Sequence, residues 1–239
     1  MAARNSASAP ARRPRADQPR RAHQPRLTEA ERRAEILARL ARMYPDAITA
    51  LHYKNPFQLL VAVILSAQCT DARVNVVTPE LFKKFPTPES LAKLRPRTLE
   101  PYIHSCGFFR MKAKSIVGAS REIVARFGGK VPRTMEELLS LPGVGRKTAN
   151  VVLAVAYGQA AIAVDTHVFR VANRLGLVHA NTPEKVEEQL MQVVPRKLWA
   201  HAHHWLIYHG RQVCHARKPR CAECSLVDLC PSARKFLRL

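Results

Sequence analysis

After residue 26, apolar residues recur three and four positions apart, the period of an amphipathic helix. Ile36, Leu40 and Met43 form one such stripe, introduced by Thr28 and Glu31 at the spacing of a capping box. Asn55-Pro56 and Thr87-Pro88 each join an N-cap side chain to a proline at the first helical position, where its missing N–H breaks no hydrogen bond. Thr134 with Glu137 predicts a second capping box, and Thr182-Pro183 opens a further helix. Gly128, Gly158 and Gly176 follow apolar-periodic segments, where a left-handed residue would end a helix. Asn-Gly hairpin pairs are missing and strict alternation is scarce, so the pattern predicts an all-α fold. The runs at 59–65 and 161–164 are apolar throughout, and their period alone does not decide their state.

Composition adds a partner class. The chain has 239 residues, 47% of them hydrophobic, enough for a sizeable core. It carries 39 Lys and Arg against 18 Asp and Glu, a formal charge of +21. Such an excess attracts polyanions by releasing their counterions, so nucleic acid is the expected partner. No run approaches the roughly 20 apolar residues of a spanning helix, which argues against a membrane role. Residues 1–26 hold seven arginines, one aspartate and four spaced prolines, and leave +15 on the rest. Few large apolar side chains occur there, and a disordered basic tail is expected. No secretory signal is visible, so a cytoplasmic protein is expected, in which clustered cysteines read as metal ligands.

Four of the six cysteines fall in the last 26 residues. Cys214, Cys221, Cys224 and Cys230 are separated by six, two and five residues. Four thiolates in one short loop can hold zinc or an iron–sulfur cluster. Zinc ribbons usually present two close pairs, whereas this loop has a single Cys-x-x-Cys. Cys69 and Cys106 sit in apolar helical settings and read as core thiols.

A glycine turn supplies the other chemical signal. In Leu141-Pro142-Gly143-Val144-Gly145-Arg146-Lys147, two glycines in three residues permit a tight turn and close approach of another molecule. The next helix is expected to begin near Arg146, with its free N–H groups toward the turn as a phosphate site. A nucleotide-binding P-loop is excluded, because Arg146 separates Gly145 from Lys147.

These segments, with Ala163-Val164-Asp165-Thr166-His167 downstream, resemble the helix-hairpin-helix, Gly-Pro-Asp superfamily of DNA glycosylases, and within it the endonuclease III family. The resemblance runs from about Leu27 to Pro231. It implies a bifunctional DNA glycosylase and abasic-site lyase of base excision repair, acting on double-stranded DNA with oxidised pyrimidines or abasic sites. Lys147 matches the family's nucleophile, and Asp165, 18 residues on, its essential partner. The amine must be neutral to attack, and burial together with the helix dipole would depress its pKa. Asp165 also reads as the N-cap of the next helix. The six-two-five spacing matches the family's loop for one four-iron–four-sulfur cluster.

The resemblance also implies contacts with DNA. The hairpin positions Leu141, Gly143, Gly145 and Arg146 are expected at the duplex, with His167 near the site. Arg217, Lys218 and Arg220 make the cysteine loop basic, so a pinned loop would hold cations against the phosphate backbone. A glycosylase must turn its target nucleotide out of the stack. Gln68, in Ser66-Ala67-Gln68-Cys69-Thr70-Asp71, matches the family residue that fills the gap. Phe108 stands at the wedge position, where the usual form has an aliphatic residue and this chain has two phenylalanines. Leu139 replaces an acid found in some bacterial relatives.

The expected architecture is two helical lobes flanking a DNA groove. One is a six-helix barrel over 49–159 that contains the helix-hairpin-helix at 134–157. The other combines 27–48 with 160–231 and the cluster. A monomer in the bacterial cytoplasm or nucleoid is expected. An adenine glycosylase of the superfamily lacks the lysine nucleophile, and a noncatalytic DNA-binding module would not need Lys147 paired with Asp165.

Overall fold

The computed structural model describes residues 27–237, so the tail expected at 1–26 lies outside the described residues. Every regular element among these residues is helical. In chain order they are α1 (Glu29–Met43), α2 (Pro56–Ser66), α3 (Asp71–Lys84), α4 (Pro88–Ala92), α5 (Pro96–Ile103) and α6 (Phe109–Phe127). There follow α7 (Met135–Leu139), α8 (Arg146–Val151), α9 (Thr166–Arg174), α10 (Pro183–Val193), α11 (Trp199–Gln212) and α12 (Ala233–Leu237). A π-turn over Val152–Ala156 prolongs α8. None of these helices is long and apolar enough to cross a membrane.

The caps explain where the helices start. Thr28 and Glu31 form the full reciprocal box. Asn55, Thr87 and Thr182 each accept an N–H of their own first turn. At Thr134 only half the box forms, because Glu137 accepts from the threonine hydroxyl at 2.8 Å and not from its backbone N–H. Gly128, Gly158 and Gly176 take the left-handed conformation.

Two hydrophobic cores organise these helices. The first runs from Leu51 to Ala161 and centres on α2, whose residues Phe57–Leu65 are all buried. That complete burial explains the unbroken apolar run at 59–65. Fully burying a Leu or Ile side chain contributes about 1.5–3 kcal/mol. The second core joins Ile36, Leu37, Leu40 and Tyr44 from the start of the chain to Ile162–Leu229 from its end. Between them, 161–164 has no regular structure, passing from Ala161 in one core to Ile162 and Val164 in the other. It is neither helix nor strand because it is the crossing between two lobes.

The segment 213–232 has almost no regular structure beyond a 3₁₀ turn at Cys221–Glu223. Backbone carbonyls without a ladder need other donors, and arginines supply them. Arg32 donates to the carbonyls of Leu175, Gly176 and Leu229, each at 2.8 Å. Arg39 reaches Ser225, Arg170 reaches Cys214, and Arg174 reaches His215 and Ala216.

Candidate active site

Lys147 lies in the first turn of α8, on the first core, and Asp165 is the N-cap of α9, on the second. Both line one narrow cavity of about 70 Å³ between the lobes, with Ser66, Asp71, His203, His204 and Arg211 among its other walls. Asp165 Oδ1 accepts the N–H groups of His167 and Val168, each at 2.8 Å. The cap thereby fixes the carboxylate and spends only one of its oxygens. Lys147 is exposed, contrary to the expected burial.

Two features of the cavity escaped the sequence. Arg211 of α11 pairs with Asp71 of α3 at 2.7 Å across its rim, joining the lobes. His203 is buried, with Nδ1 lacking a partner among the described residues. Burial, then the neighbouring His204 and Lys147, holds the His203 imidazole well below the usual histidine range. Burial likewise lowers His204. The adjacent His203-His204 pair on an amphipathic helix was the available signal, although it does not reveal which lobe they face.

The expected DNA contacts divide into two groups. Gln68, Phe108, Gly145, Arg217 and Lys218 are exposed. Phe109 instead packs against the first core, which separates the two phenylalanines. The only non-glycine residues with positive φ among those described are Gln68, Phe108 and Lys218. Each left-handed conformation costs roughly 1–2 kcal/mol, and such strain gathers at functional sites. Gly145 opens α8 without a side-chain cap, leaving the first-turn amides accessible from the turn. Gly143, at φ 76°, packs so closely on Ser115 that any Cβ would collide with it.

The other group is turned inward or already engaged. Leu141 is buried in the first core and is a packing residue. The guanidinium of Arg146 grips buried Glu187 of α10 through two hydrogen bonds, at 3.0 and 2.9 Å. It therefore ties the lobes together, with about half of its side chain, 51%, still exposed. His167 is half-buried against Gly210 and accepts from Arg170 at 3.2 Å. Arg220 is exposed but donates to the Gln212 carbonyl and pairs with Glu223 at 3.6 Å. Cys69 and Cys106 lie in turns beside Gln68 and Gly107, outside any helix. Burial first, then Cys69, pushes the Cys106 thiol up to about 11.

In the cysteine loop, Cys214, Cys224 and Cys230 pack at the edge of the second core. Arg174 donates toward Cys214 Sγ at 3.5 Å, and His209 Nε2 lies 3.7 Å from Cys224 Sγ. Burial pushes the thiols of Cys221, Cys224 and Cys230 up, with Cys214 adding to the effect. Three soft donors placed where the bare thiolate is disfavoured call for a cationic, thiophilic partner. Among the described residues no three His, Cys, Asp or Glu side chains are close enough to share one ion.

Comparison with known proteins agrees with this geometry. Residues 61–196 match the model of the HhH-GPD superfamily base excision DNA repair proteins. Residues 214–230 match the iron-sulfur binding domain of endonuclease III. Endonuclease III of Synechocystis is 55% identical over 208 residues, covering 87% of this chain and 95% of its own. That of Escherichia coli is 46% identical, covering 85% and 97%. A structure of a trapped endonuclease III–DNA covalent intermediate superposes with a TM-score of 0.85 at 45% identity, covering 89% of this chain and all of that one. The chain therefore belongs to the endonuclease III family of HhH-GPD base excision DNA repair proteins, with that family's iron–sulfur binding domain at its C-terminal end.

Proposed function

We propose that this protein is a base excision repair DNA glycosylase and abasic-site lyase that removes oxidised pyrimidines through a Schiff base on Lys147. The observation that carries this reading is the single cavity lined by Lys147 from one lobe and Asp165 from the other. DNA lies in the groove between the two cores, the lobes being approximately 49–159 and 27–48 with 160–231. Gln68 and Phe108 enter the duplex while the target nucleotide turns out toward Lys147.

The neutral Lys147 amine attacks C1′ of the extruded nucleotide. The C1′–N bond to the base breaks, and its electron pair leaves with the base, which takes up a proton. Ring opening leaves an iminium between Nζ and C1′. Removal of a C2′ proton expels the 3′ phosphate oxygen and breaks the strand on the 3′ side. The anchored carboxylate of Asp165 lines the same cavity from the other lobe, there to accept the ammonium proton and to stabilise positive charge on the sugar.

Cys214, Cys221, Cys224 and Cys230 hold one four-iron–four-sulfur cluster. When bound, the cluster supplies the thiolates with cationic charge and cross-links the loop. The exposed side chains of Arg217 and Lys218 then lie at fixed places for the phosphate backbone. The protein acts as a monomer in the bacterial cytoplasm, on duplex DNA, and its binding weakens steeply with salt.

Borohydride reduction during turnover of a thymine glycol duplex tests the central step. The wild type should form a covalent protein–DNA adduct and Lys147→Ala none. An adduct that persists in the variant overturns the assignment.

A further inference from the structure

Helix α6 carries a lysine where its buried stripe calls for an apolar side chain. Lys112 shares a face with Ile116, Ala119 and Ile123 and is only 5% exposed. Its ammonium donates to the Leu65 carbonyl at 2.8 Å and to the Cys106 carbonyl at 3.2 Å. Leu65 is in the last turn of α2, where helix geometry leaves carbonyls without an amide partner. Cys106 directly precedes Gly107 and Phe108. One buried charge therefore joins the roots of two separate turns, one carrying Gln68 and the other Phe108.

The turns also meet at their backbones, since a Cβ on Gly107 would stand 3.9 Å from the Gln68 carbonyl oxygen. Both tips, Gln68 at φ 51° and Phe108 at φ 56°, are left-handed without being glycine. Such conformations last only where the surroundings fix them. Burial lowers the pKa of Lys112, so the site is costly for an ammonium. A methionine would fill the same volume without that penalty. What the lysine adds is a directional, charge-assisted grip on two carbonyls at once.

We infer that Lys112 is a positioning residue for base extrusion, clamping the Gln68 and Phe108 turns into one rigid, two-pronged unit that enters the duplex together. Lys112 itself does not reach the DNA. The inference rests on the reading above that Gln68 and Phe108 are the inserting side chains.

The test compares two substrates. One is an intact duplex with thymine glycol, in which a stacked pair must open. The other holds an abasic site opposite a one-nucleotide gap, where neither a base nor its partner has to be unstacked. Lys112→Met should lower the ratio of kcat/KM on the first to that on the second by roughly tenfold, the scale of one charge-assisted hydrogen bond. It should also reduce the fluorescence of 2-aminopurine opposite the lesion at saturating enzyme, a sign of incomplete unstacking. An unchanged ratio, with or without a uniform loss of activity, overturns the clamp and leaves Lys112 as a support of the fold.

Gln68→Ala and Phe108→Ala separate the two levels of the argument. If they leave the ratio untouched, the insertion reading fails and takes the clamp with it. If they lower it and Lys112→Met does not, the clamp alone fails. Should Lys112→Met not fold, Lys112→Gln is measured by the same criterion, because its shorter amide reaches one carbonyl at most.

Discussion

The two lobes hold their backbones in different ways. In the first lobe, helices bond their own amides, and α2 is held mainly by apolar packing along its whole buried length. In the other lobe the loop after α11 has no ladder, and four arginines from α1 and α9 satisfy its carbonyls across the sequence. The first arrangement is rigid by itself. The second needs fixed charges and, in the reading above, a metal cluster. The reacting pair spans the difference, with the amine on the self-supporting lobe and the carboxylate on the stitched one. That division makes the geometry of the site depend on how firmly the lobes are joined, by Arg146–Glu187 and Arg211–Asp71.

The largest effect should come from removing the amine while leaving both lobes intact. Lys147→Ala is expected to lower turnover by roughly four orders of magnitude or more, as loss of a nucleophile does. Because Lys147 is exposed, stability should stay within about 0.5 kcal/mol. Calorimetry alongside the cleavage assay checks both. A matching loss of stability would mean that the lysine mainly holds the lobes.

Asp165→Asn probes the other side of the cavity. The amide oxygen can still accept the N–H groups of His167 and Val168, so the cap survives, with a stability change under about 1 kcal/mol. Turnover should fall by roughly two to three orders of magnitude, the scale of a lost acid–base group. A variant that keeps full activity would confine Asp165 to capping.

Arg174→Ala attacks the stitched lobe directly. The side chain bonds two carbonyls and covers Phe236 with its guanidinium. Its loss should weaken that lobe by about 3 kcal/mol, two charge-assisted hydrogen bonds being removed. Hydrogen exchange should rise over 162–229 and stay near wild type over 51–161. A uniform rise would show that the lobes unfold as one unit.

These differences also decide what could be read in advance. Caps at Thr28, Asn55, Thr87 and Thr182 are local hydrogen bonds, and their residue types announce them. A motif and an interval singled out Lys147 and Asp165, which the fold brings to one cavity, and spacing singled out the cysteine loop. The burial of Leu141 and the partner of Arg146 were not legible, because spacing locates a hairpin without saying what each of its side chains meets. The partner of Arg146, Glu187, is 41 residues away. The arginine stitching was invisible for the same reason, since any of 39 basic residues could have been solvated. Lys112 could have been suspected, as it interrupts the buried stripe of α6 with a charge.

The smallest predicted effect is on acid stability at the seam between the lobes. His203 and His204 both face the cavity, and burial holds both imidazoles below their usual range. In the unfolded chain they titrate near 6.5. Above that pH both states carry neutral rings, and stability keeps its full value. As the pH falls below about 6.5, the unfolded chain takes up protons that the folded one refuses, so the free energy of unfolding falls, by at most about 1.4 kcal/mol per pH unit per ring, until the lowered folded pKa is reached. The melting temperature should therefore drop between pH 7 and 5, and less steeply in His204→Phe, which has one proton fewer to refuse. Hydrogen exchange over the same range should show the stitched lobe loosening before the barrel, because α11 carries both rings. A variant whose acid slope equals that of the wild type would assign the loss to other groups and remove the seam as its origin.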